Sequence, residues 1–309
     1  MASSYPGALD SFTTKQDEVD DVEAAHVNAL QDSVVAIQTE LGLDPAGAET
    51  DVLTRLDKSL PKDYLSKYGI TVGADTLNDI VFPVILAKDN ADSISMRLAA
   101  SLTKQIDFDW ASGSGNGGFP SGLTLTADTW YHIGLVDESD GSIDAGFDTS
   151  ISFTNLLSDS GGTKFRRLGS ILTNGSSQIT AFNHFGPLWF WDNPPLDVDV
   201  TDQNVTQVSR VLSVPPDVNV LALINVVIQR TGSDTAGIYV RHTSITDELP
   251  SFTAAPLMHL GHETGTTAEK SGTMVQAITG TNKVVFTRAV GGASVLRMST
   301  IAWLDNFIA

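Results

Sequence analysis

The sequence predicts a mainly β protein, built of antiparallel sandwich or jelly-roll-like domains and preceded by a short α-helical, coiled-coil-like segment. Apolar residues recur at helical spacing only before Pro61, and beyond it short apolar stretches alternate with Gly, Asn and Asp turns. No long helical pattern follows Leu60, which disfavours parallel βαβ folds. Charged residues make up only 18% of the chain, a proportion that favours sheets and turns.

The first predicted element is a helix over residues 21–41. Its apolar residues are spaced alternately three and four apart, which is the a/d pattern of a coiled coil over two heptads. We call this stripe the seam; its members are Val27, Leu30, Val34, Ile37 and Leu41. The residues beside it are polar, as the wet rim of a helix–helix contact requires: Gln31, Ser33, Gln38 and Glu40.

Sequence signals also define where this helix ends. Asp20 and Glu23 predict a capping box at its start, and Gly42 followed by Pro45 predicts its end. A second, shorter apolar stripe then runs to Pro61; its members are Val52, Leu53, Leu56 and Leu60. The leader is therefore predicted to be a helix, a short turn and a shorter helix.

An identical helix from another subunit is the partner that we expect for the seam. The segments on either side, residues 5–19 and 61–80, are polar and turn-rich and offer little apolar surface, although packing on the same chain stays open. The predicted subunit interface consists of the seam together with Leu53 and Leu56. Two heptads are marginal for a free-standing coil, so the rest of the chain must help to hold the oligomer together.

The rest of the chain is predicted to form β structure in three parts. Residues 61–122 read as a linker with short β elements that ends in a glycine-rich loop, residues 111–122. Residues 123–205 read as a central β-domain with a hairpin at Asn174–Gly175. Residues 206–309 read as a C-terminal β-domain whose last three strands form an antiparallel meander.

Composition excludes several classes of partner and of site. The net charge is −19, and residues 1–60 carry twelve acidic residues against three basic ones, which disfavours nucleic-acid binding. This acidity is a solubility feature or fits a basic docking socket. There is no cysteine, so disulfides and thiolate metal sites are excluded. We expect no signal peptide and no membrane span.

Two segments resemble structural proteins of tailed bacteriophages. Residues 5–47 contain "YPGALD", "AAHVNALQDSVVAI" and "ELGLDPAG", and this order is similar to the N-terminal segment of phage fibre and related virion proteins. The block "WYHIGLVDESDGSIDAGFDTS" with "FRRLGSILTNGSSQI" resembles a β-domain that recurs in phage structural proteins. Together they cover roughly a third of the chain.

The resemblance implies a virion component, which we expect to be non-enzymatic because its candidate catalytic residues are few, and to be made in the host cytoplasm. Such proteins are elongated homo-oligomers, often trimers, and form fibres or spikes. The expected partners are other copies of the chain, other virion proteins through residues 1–60, and a host-surface glycan. Placement in the head, as a head fibre or decoration protein, stays open beside the tail. The alternatives are a glycan receptor-binding protein and a glycan depolymerase.

Candidate residues for carbohydrate or metal chemistry are few. Trp110, Trp189 and Trp191 are candidates for stacking on a sugar ring. A glycosidase would need paired carboxylates, for which Asp144, Asp148 and Asp192 are the candidates, although turn and backbone hydrogen bonds explain the first two equally well. His259, His262 and Glu263 have a metal-like spacing without a third histidine nearby. We expect no catalytic residues, no metal and no cofactor.

Overall fold

The computed structural model describes residues 21–41, 45, 52, 55–56, 59–66, 68–201, 206–230, 236–257, 259–262, 270–291 and 294–305. The chain divides into two compact units, Met1–Pro61 and Lys62–Ala309. Across the described ranges, none of the helices combines the length and apolarity needed to cross a membrane. The protein is mostly β, with a helix near its start, as the sequence predicts.

The first unit contains the helix α1 (Ala24–Leu41), which begins three residues later than predicted. Its start is formed by Glu23 and His26. The Glu23 backbone N–H donates to His26 Nδ1 at 3.1 Å, and the His26 N–H donates to the Glu23 carbonyl at 3.0 Å. This reciprocal pair satisfies two of the backbone groups that a helix end leaves open. Asp20, Gly42 and Leu53 lie outside the described residues.

The second unit, the body, is built of nineteen strands and one short helix in the part of the chain that the structure describes. The strands before the short helix are β1 (Thr71–Val72), β2 (Asp79–Phe82), β3 (Ile85–Lys88), β4 (Ser95–Leu98), β5 (Leu102–Asp109), β6 (Asn116–Phe119), β7 (Trp130–Glu138) and β8 (Ile143–Asp148). Helix α2 (Thr154–Ser160) and strands β9 (Gly161–Leu172), β10 (Phe182–Phe185), β11 (Leu188–Trp191), β12 (Leu196–Val200) and β13 (Val208–Val211) follow. The last strands are β14 (Leu221–Arg230), β15 (Ala236–Arg241), β16 (Leu260–His262), β17 (Lys270–Ile278), β18 (Val284–Gly291) and β19 (Ser294–Leu304).

These strands form five sheets, and all pairs except β5–β6 are antiparallel. The largest is a six-stranded sheet ordered β10-β11-β19-β14-β17, with β12 also paired to β19. The others are β1-β2-β5-β6, β8-β7-β9, β13-β18-β15-β16 and the hairpin β3-β4. Side chains from all of them meet in one hydrophobic core.

The inner face of the six-stranded sheet carries a row of aromatic residues. His184, Trp189 and Trp303 are consecutive partners across three strands, and Ala222 and Ala277 continue the row. The rings of Trp189 and Trp303 stack with centroids 6.1 Å apart. Small residues on the neighbouring strands leave room for these large rings, so the tryptophans fill the centre of the body.

The strand pairing differs from the sequence prediction in two places. The last three strands are not a meander: β17 and β19 both pair with β14, whereas β18 belongs to the sheet of β13, β15 and β16. Likewise β10, β11 and β12 join the sheet of β19, so one sheet crosses the predicted domain boundary at residue 205. Alternating polarity predicts a strand but not its neighbours, which explains both differences.

The predicted glycine-rich loop contains a strand. Asn116–Phe119 forms β6, which runs parallel to β5. A Cβ on Gly117 would lie 2.1 Å from the carbonyl oxygen of Asp109, so only glycine fits at this approach of two backbones. The glycines here permit close packing and do not only provide flexibility.

Candidate oligomerisation surface

The seam of α1 is an exposed apolar stripe. Each of its five side chains keeps between 42% and 56% of its surface exposed, and none of them is buried against its own chain. The helix has 18 residues and is therefore about 27 Å long. An apolar stripe of this length has the geometry to pack against a copy of the same helix.

A different flank of α1 is covered. Ala29 and Ser33 are both only 6% exposed and lie about a quarter of a turn away from the seam. Ser33 Oγ donates to the Ala29 carbonyl at 2.8 Å, which satisfies the hydroxyl within the helix. The prediction that Ser33 forms part of a wet rim is therefore wrong.

The second predicted stripe is described only in part. Val52, Arg55 and Leu56 are helical, and the side chains of Val52 and Leu56 are exposed. Leu53, the remaining member of the predicted interface, lies outside the described residues. Val52 and Leu56 thus resemble the seam in leaving apolar surface open, whereas Leu60, the other described member of the stripe, is half-buried.

All charged residues of α1 and of the three residues before it are acidic. No Lys or Arg occurs between Gln16 and Thr54, and the described residues of this segment include the exposed acids Asp21, Glu23, Asp32 and Glu40. Identical helices therefore repel one another electrostatically, and apolar contact along the seam must offset this repulsion.

The tryptophans that were candidates for sugar stacking do not form a platform. Trp189 is fully buried and Trp191 is 6% exposed, since both rings belong to the core of the body. Trp110 is half-buried, and its ring lies 5.3 Å from Lys104 Nζ. The assignment of Trp189 and Trp191 to glycan stacking is therefore wrong, because neither ring has a free face to offer.

The first of the buried candidate carboxylates holds a structural ion pair. Asp144 Oδ2 accepts from Lys104 Nζ at 3.0 Å and from the Gly113 N–H at 2.8 Å, and both charged side chains are buried. Burial lowers the pKa of Lys104, and the charge of Asp144 opposes that shift. This pair fixes the start of the glycine-rich segment against the body.

The other two carboxylates have different environments. Asp148 Oδ2 accepts from the backbone N–H groups of Asn155 and Leu156, each at 2.9 Å, and so caps helix α2. Asp192 is exposed. The buried pair, Asp144 and Asp148, is thus occupied by structural hydrogen bonds.

The histidine candidates for a metal site are not assembled in the described residues. His259 Nδ1 accepts from the Val240 N–H at 3.1 Å. The side chain of His262 and the whole of Glu263 lie outside the described part of the chain. Within the described part, no three His, Asp or Glu side chains are grouped in a way that could hold a metal ion.

Sequence reasoning missed a buried polar network in the body. Arg167 donates to both carboxylate oxygens of Asp305 at 2.7 Å, and its Nε donates to His132 Nδ1 at 3.2 Å. Ser170 Oγ lies 2.8 Å from the same His132 nitrogen. Burial, together with the charge of Arg167, lowers the pKa of His132 to about 3, so the imidazole is neutral. The network ties β7 and β9 to the end of β19.

The sequence does carry a signal for one buried charged side chain, that of Lys104. Leu102, Lys104 and Ile106 are alternate residues of β5, and all three are buried. A charged residue between two core residues of a strand predicts a buried ion pair, because an unpaired buried charge is too costly.

Comparison with known proteins gives no family for the chain. No protein-family model matches it, and no curated protein matches it. A search of solved structures returns a structure of the infectious bursal disease virus Gx strain, 12% identical over 82% of this chain and 75% of that one, with a TM-score of 0.19. It also returns latent PorU from Porphyromonas gingivalis, 7% identical over 81% of this chain and 22% of that one, with a TM-score of 0.15. TM-scores of this size establish no shared fold, so nothing known of these proteins is transferred.

Proposed function

We propose that this chain is a non-enzymatic structural subunit of a tailed-phage virion. It forms a homo-oligomer, a trimer, through α1, attaches to the particle through residues 1–60 and displays the β body outward as a fibre or spike. The exposed seam is the observation that carries this proposal, since five apolar side chains at coiled-coil spacing stay open in the single chain.

Two further features support an assembly role. Residues 5–47 resemble the N-terminal segment of phage fibre proteins, and α1 lies inside this segment. The buried Asp144 and Asp148, which were candidates for glycan hydrolysis, are engaged by Lys104 and by the start of α2. This use of the carboxylates supports the non-enzymatic part of the proposal.

Two adjacent valines provide the test of the seam. Val34 belongs to the seam and is 45% exposed, whereas Val35 is 58% exposed and lies about 100° away from Val34 around the helix. We expect the full-length wild-type chain to have the mass of a trimer by sedimentation equilibrium. Val34→Asp should dissociate it, because a carboxylate would be buried in the helix contact. Val35→Asp should retain the trimer, since it adds the same charge at a solvent-facing position.

A monomeric wild-type chain at every concentration would reject the oligomer. Equal behaviour of the two variants would reject the seam as the contact. Attachment to the particle is tested separately, by labelling the protein in purified virions and by following incorporation of a chain that lacks residues 1–60. Normal incorporation of that truncated chain would reject the anchoring role.

A receptor-binding function is the second candidate, and the structure reduces its support. Of the three tryptophans suggested for stacking, Trp189 and Trp191 are buried, and only Trp110 is partly exposed. A glycan array probed with the assembled oligomer tests this function. Binding that survives Trp110→Ala would require a site other than the tryptophans.

A further inference from the structure

The outer face of the six-stranded sheet carries a continuous apolar patch. Side chains alternate between the two faces of a strand, so the neighbours of the buried Trp189, Ala222 and Trp303 point outward. Strand register places five of these outward residues in one row across five strands: Phe185, Leu188, Leu304, Leu221 and Ile278. Phe185 is 67% exposed, and the other four are half-buried.

A second row lies beside the first. It contains Asn183, Phe190, Ala302, Leu223 and Gln276, again as consecutive partners across the strands. Ala302, in the middle of this row, is itself fully buried. The rings of Phe185 and Phe190 meet edge to face, with centroids 6.3 Å apart. We call these ten residues the outer patch; none of them is charged.

The same face is mixed further along the strands. There Asn225 pairs with Ser299, and their other strand partners, Met274 and Leu196, are 51% and 58% exposed. Arg297 forms an ion pair with Asp199 at 3.1 Å. A solvated sheet face is expected to carry polar and charged residues. The outer patch carries no charged residue, so it departs from that expectation.

We propose that the outer patch is a contact between copies of this chain, and that it supplies the body's share of the subunit interface. The inference rests on the proposed homo-oligomer. Charge selects a second copy as the occupant: each chain carries a net charge of −19, so copies approach at least cost where both surfaces are uncharged. The outer patch provides such a surface.

The contact area also favours a second copy of this chain as the partner of the outer patch. A stable interface covers about 800 Å² on each partner. The seam outlines an area on the order of 300 Å² along α1. The outer patch, which crosses five strands spaced about 4.8 Å apart, outlines an area on the order of 300 Å² as well. Neither surface is sufficient alone, and the two together come close to what a stable oligomer needs.

Two exposed phenylalanines give a matched test. Phe185 lies in the outer patch, and Phe108, on β5 in another sheet, is exposed to a similar extent at 58%. In the full-length chain, Phe185→Asp should raise the dissociation constant of the oligomer at least about tenfold, because it replaces the most exposed aromatic side chain of the contact with a charge. Phe108→Asp should leave it unchanged. Sedimentation velocity over a range of concentrations measures both.

The outcomes separate this inference from the proposed function. If the wild-type chain is monomeric, the oligomer itself is rejected. If Val34→Asp weakens the oligomer and Phe185→Asp behaves like Phe108→Asp, the seam contact stands and the outer patch is rejected. Circular dichroism of Phe185→Asp must show the wild-type β signal; if that variant is misfolded, cross-linking decides instead.

The absence of cysteine allows cross-linking without removing any native thiol. Phe185→Cys and Phe108→Cys each introduce a single thiol at an exposed position. A short bis-maleimide should join copies of the Phe185→Cys chain within the oligomer and should not join copies of the Phe108→Cys chain. Equal cross-linking of the two variants would overturn the assignment of the outer patch to the subunit interface.

Discussion

Helix α1 and the β body differ in the exposure of their large apolar side chains. In α1 the large apolar side chains are exposed and the covered residues are the small Ala29 and Ser33. In the body the large side chains, such as Trp189 and Trp303, are the most completely buried. The body thus buries its largest apolar side chains within one chain and leaves open the outer patch, whereas α1 buries none of its large apolar side chains. An apolar stripe that its own chain leaves open indicates a surface for assembly.

Polar groups show the same contrast. In the body, Arg167, Asp305 and His132 are buried and bonded to one another. In α1, the charged residues are exposed on the surface. The body has a core in which its buried charges are paired. Helix α1 has no core of its own, so it needs a partner to be stable. Three perturbations test whether the two units differ in this way.

The largest effect is expected from Asp305→Ala. This change leaves the Arg167 guanidinium buried without its carboxylate, which should lower the free energy of unfolding by about 3–5 kcal/mol. The matched control is Asp199→Ala, which removes the half-exposed partner of Arg297 and should cost at most about 1 kcal/mol. Urea unfolding followed by tryptophan fluorescence measures both. Equal costs would show that the buried network contributes no more than a surface pair.

Acid should destabilise the body through His132 and His184. Burial lowers their pKa values to about 3 and about 4, whereas an unfolded histidine titrates near 6.5. Between these values the unfolded chain binds more protons, so stability is complete above pH about 6.5 and falls as the pH is lowered toward 4 and 3. Each histidine contributes up to about 1.4 kcal/mol per pH unit.

The window from pH 6.5 to 5 isolates this effect, because ordinary carboxylates stay ionised there. His132→Asn keeps an acceptor for Arg167 and removes one titrating group, so it should reduce the slope of unfolding free energy against pH. A wild-type slope of zero in this window would contradict the neutral, buried state of both histidines.

The smallest effect is expected from Val34→Asp on the body. Because the seam lies in a different compact unit from the body core, this change should alter the unfolding free energy of the dissociated chain by less than about 0.5 kcal/mol. Thermal unfolding at a concentration where the wild-type chain is also dissociated checks this. A large loss would mean that the seam supports the body of its own chain.

The sequence was sufficient to predict the fold class and the position of α1. Apolar spacing of three and four identified the seam, an almost unbroken apolar run identified β14, and turn signals around an apolar stretch identified β17. These signals are local, and they report which face of an element is apolar. Whether the seam joins copies stays a prediction, since its exposure in one chain is compatible with any apolar partner.

Pairing between strands was not predictable to the same degree. The residues that follow Ile278 look like a meander, yet β18 joins another sheet, because turn signals do not specify which sheet the next strand enters. The glycine-rich segment contains β6, since the close approach at Gly117 depends on Asp109 and on the fold around it. Trp189 and Trp191 resembled surface platforms for the same reason: burial depends on distant residues such as Trp303 and Trp130.

Strand β19 pairs with β11, β12 and β14, although it is the last of the described strands. During synthesis the earlier strands leave the ribosome well before Leu304, and they lack the neighbour that joins them into one sheet. The Trp189 ring cannot stack on Trp303 until then. Completion of the body must therefore follow translation of nearly all of its residues, a late closure typical of folds with distant strand partners.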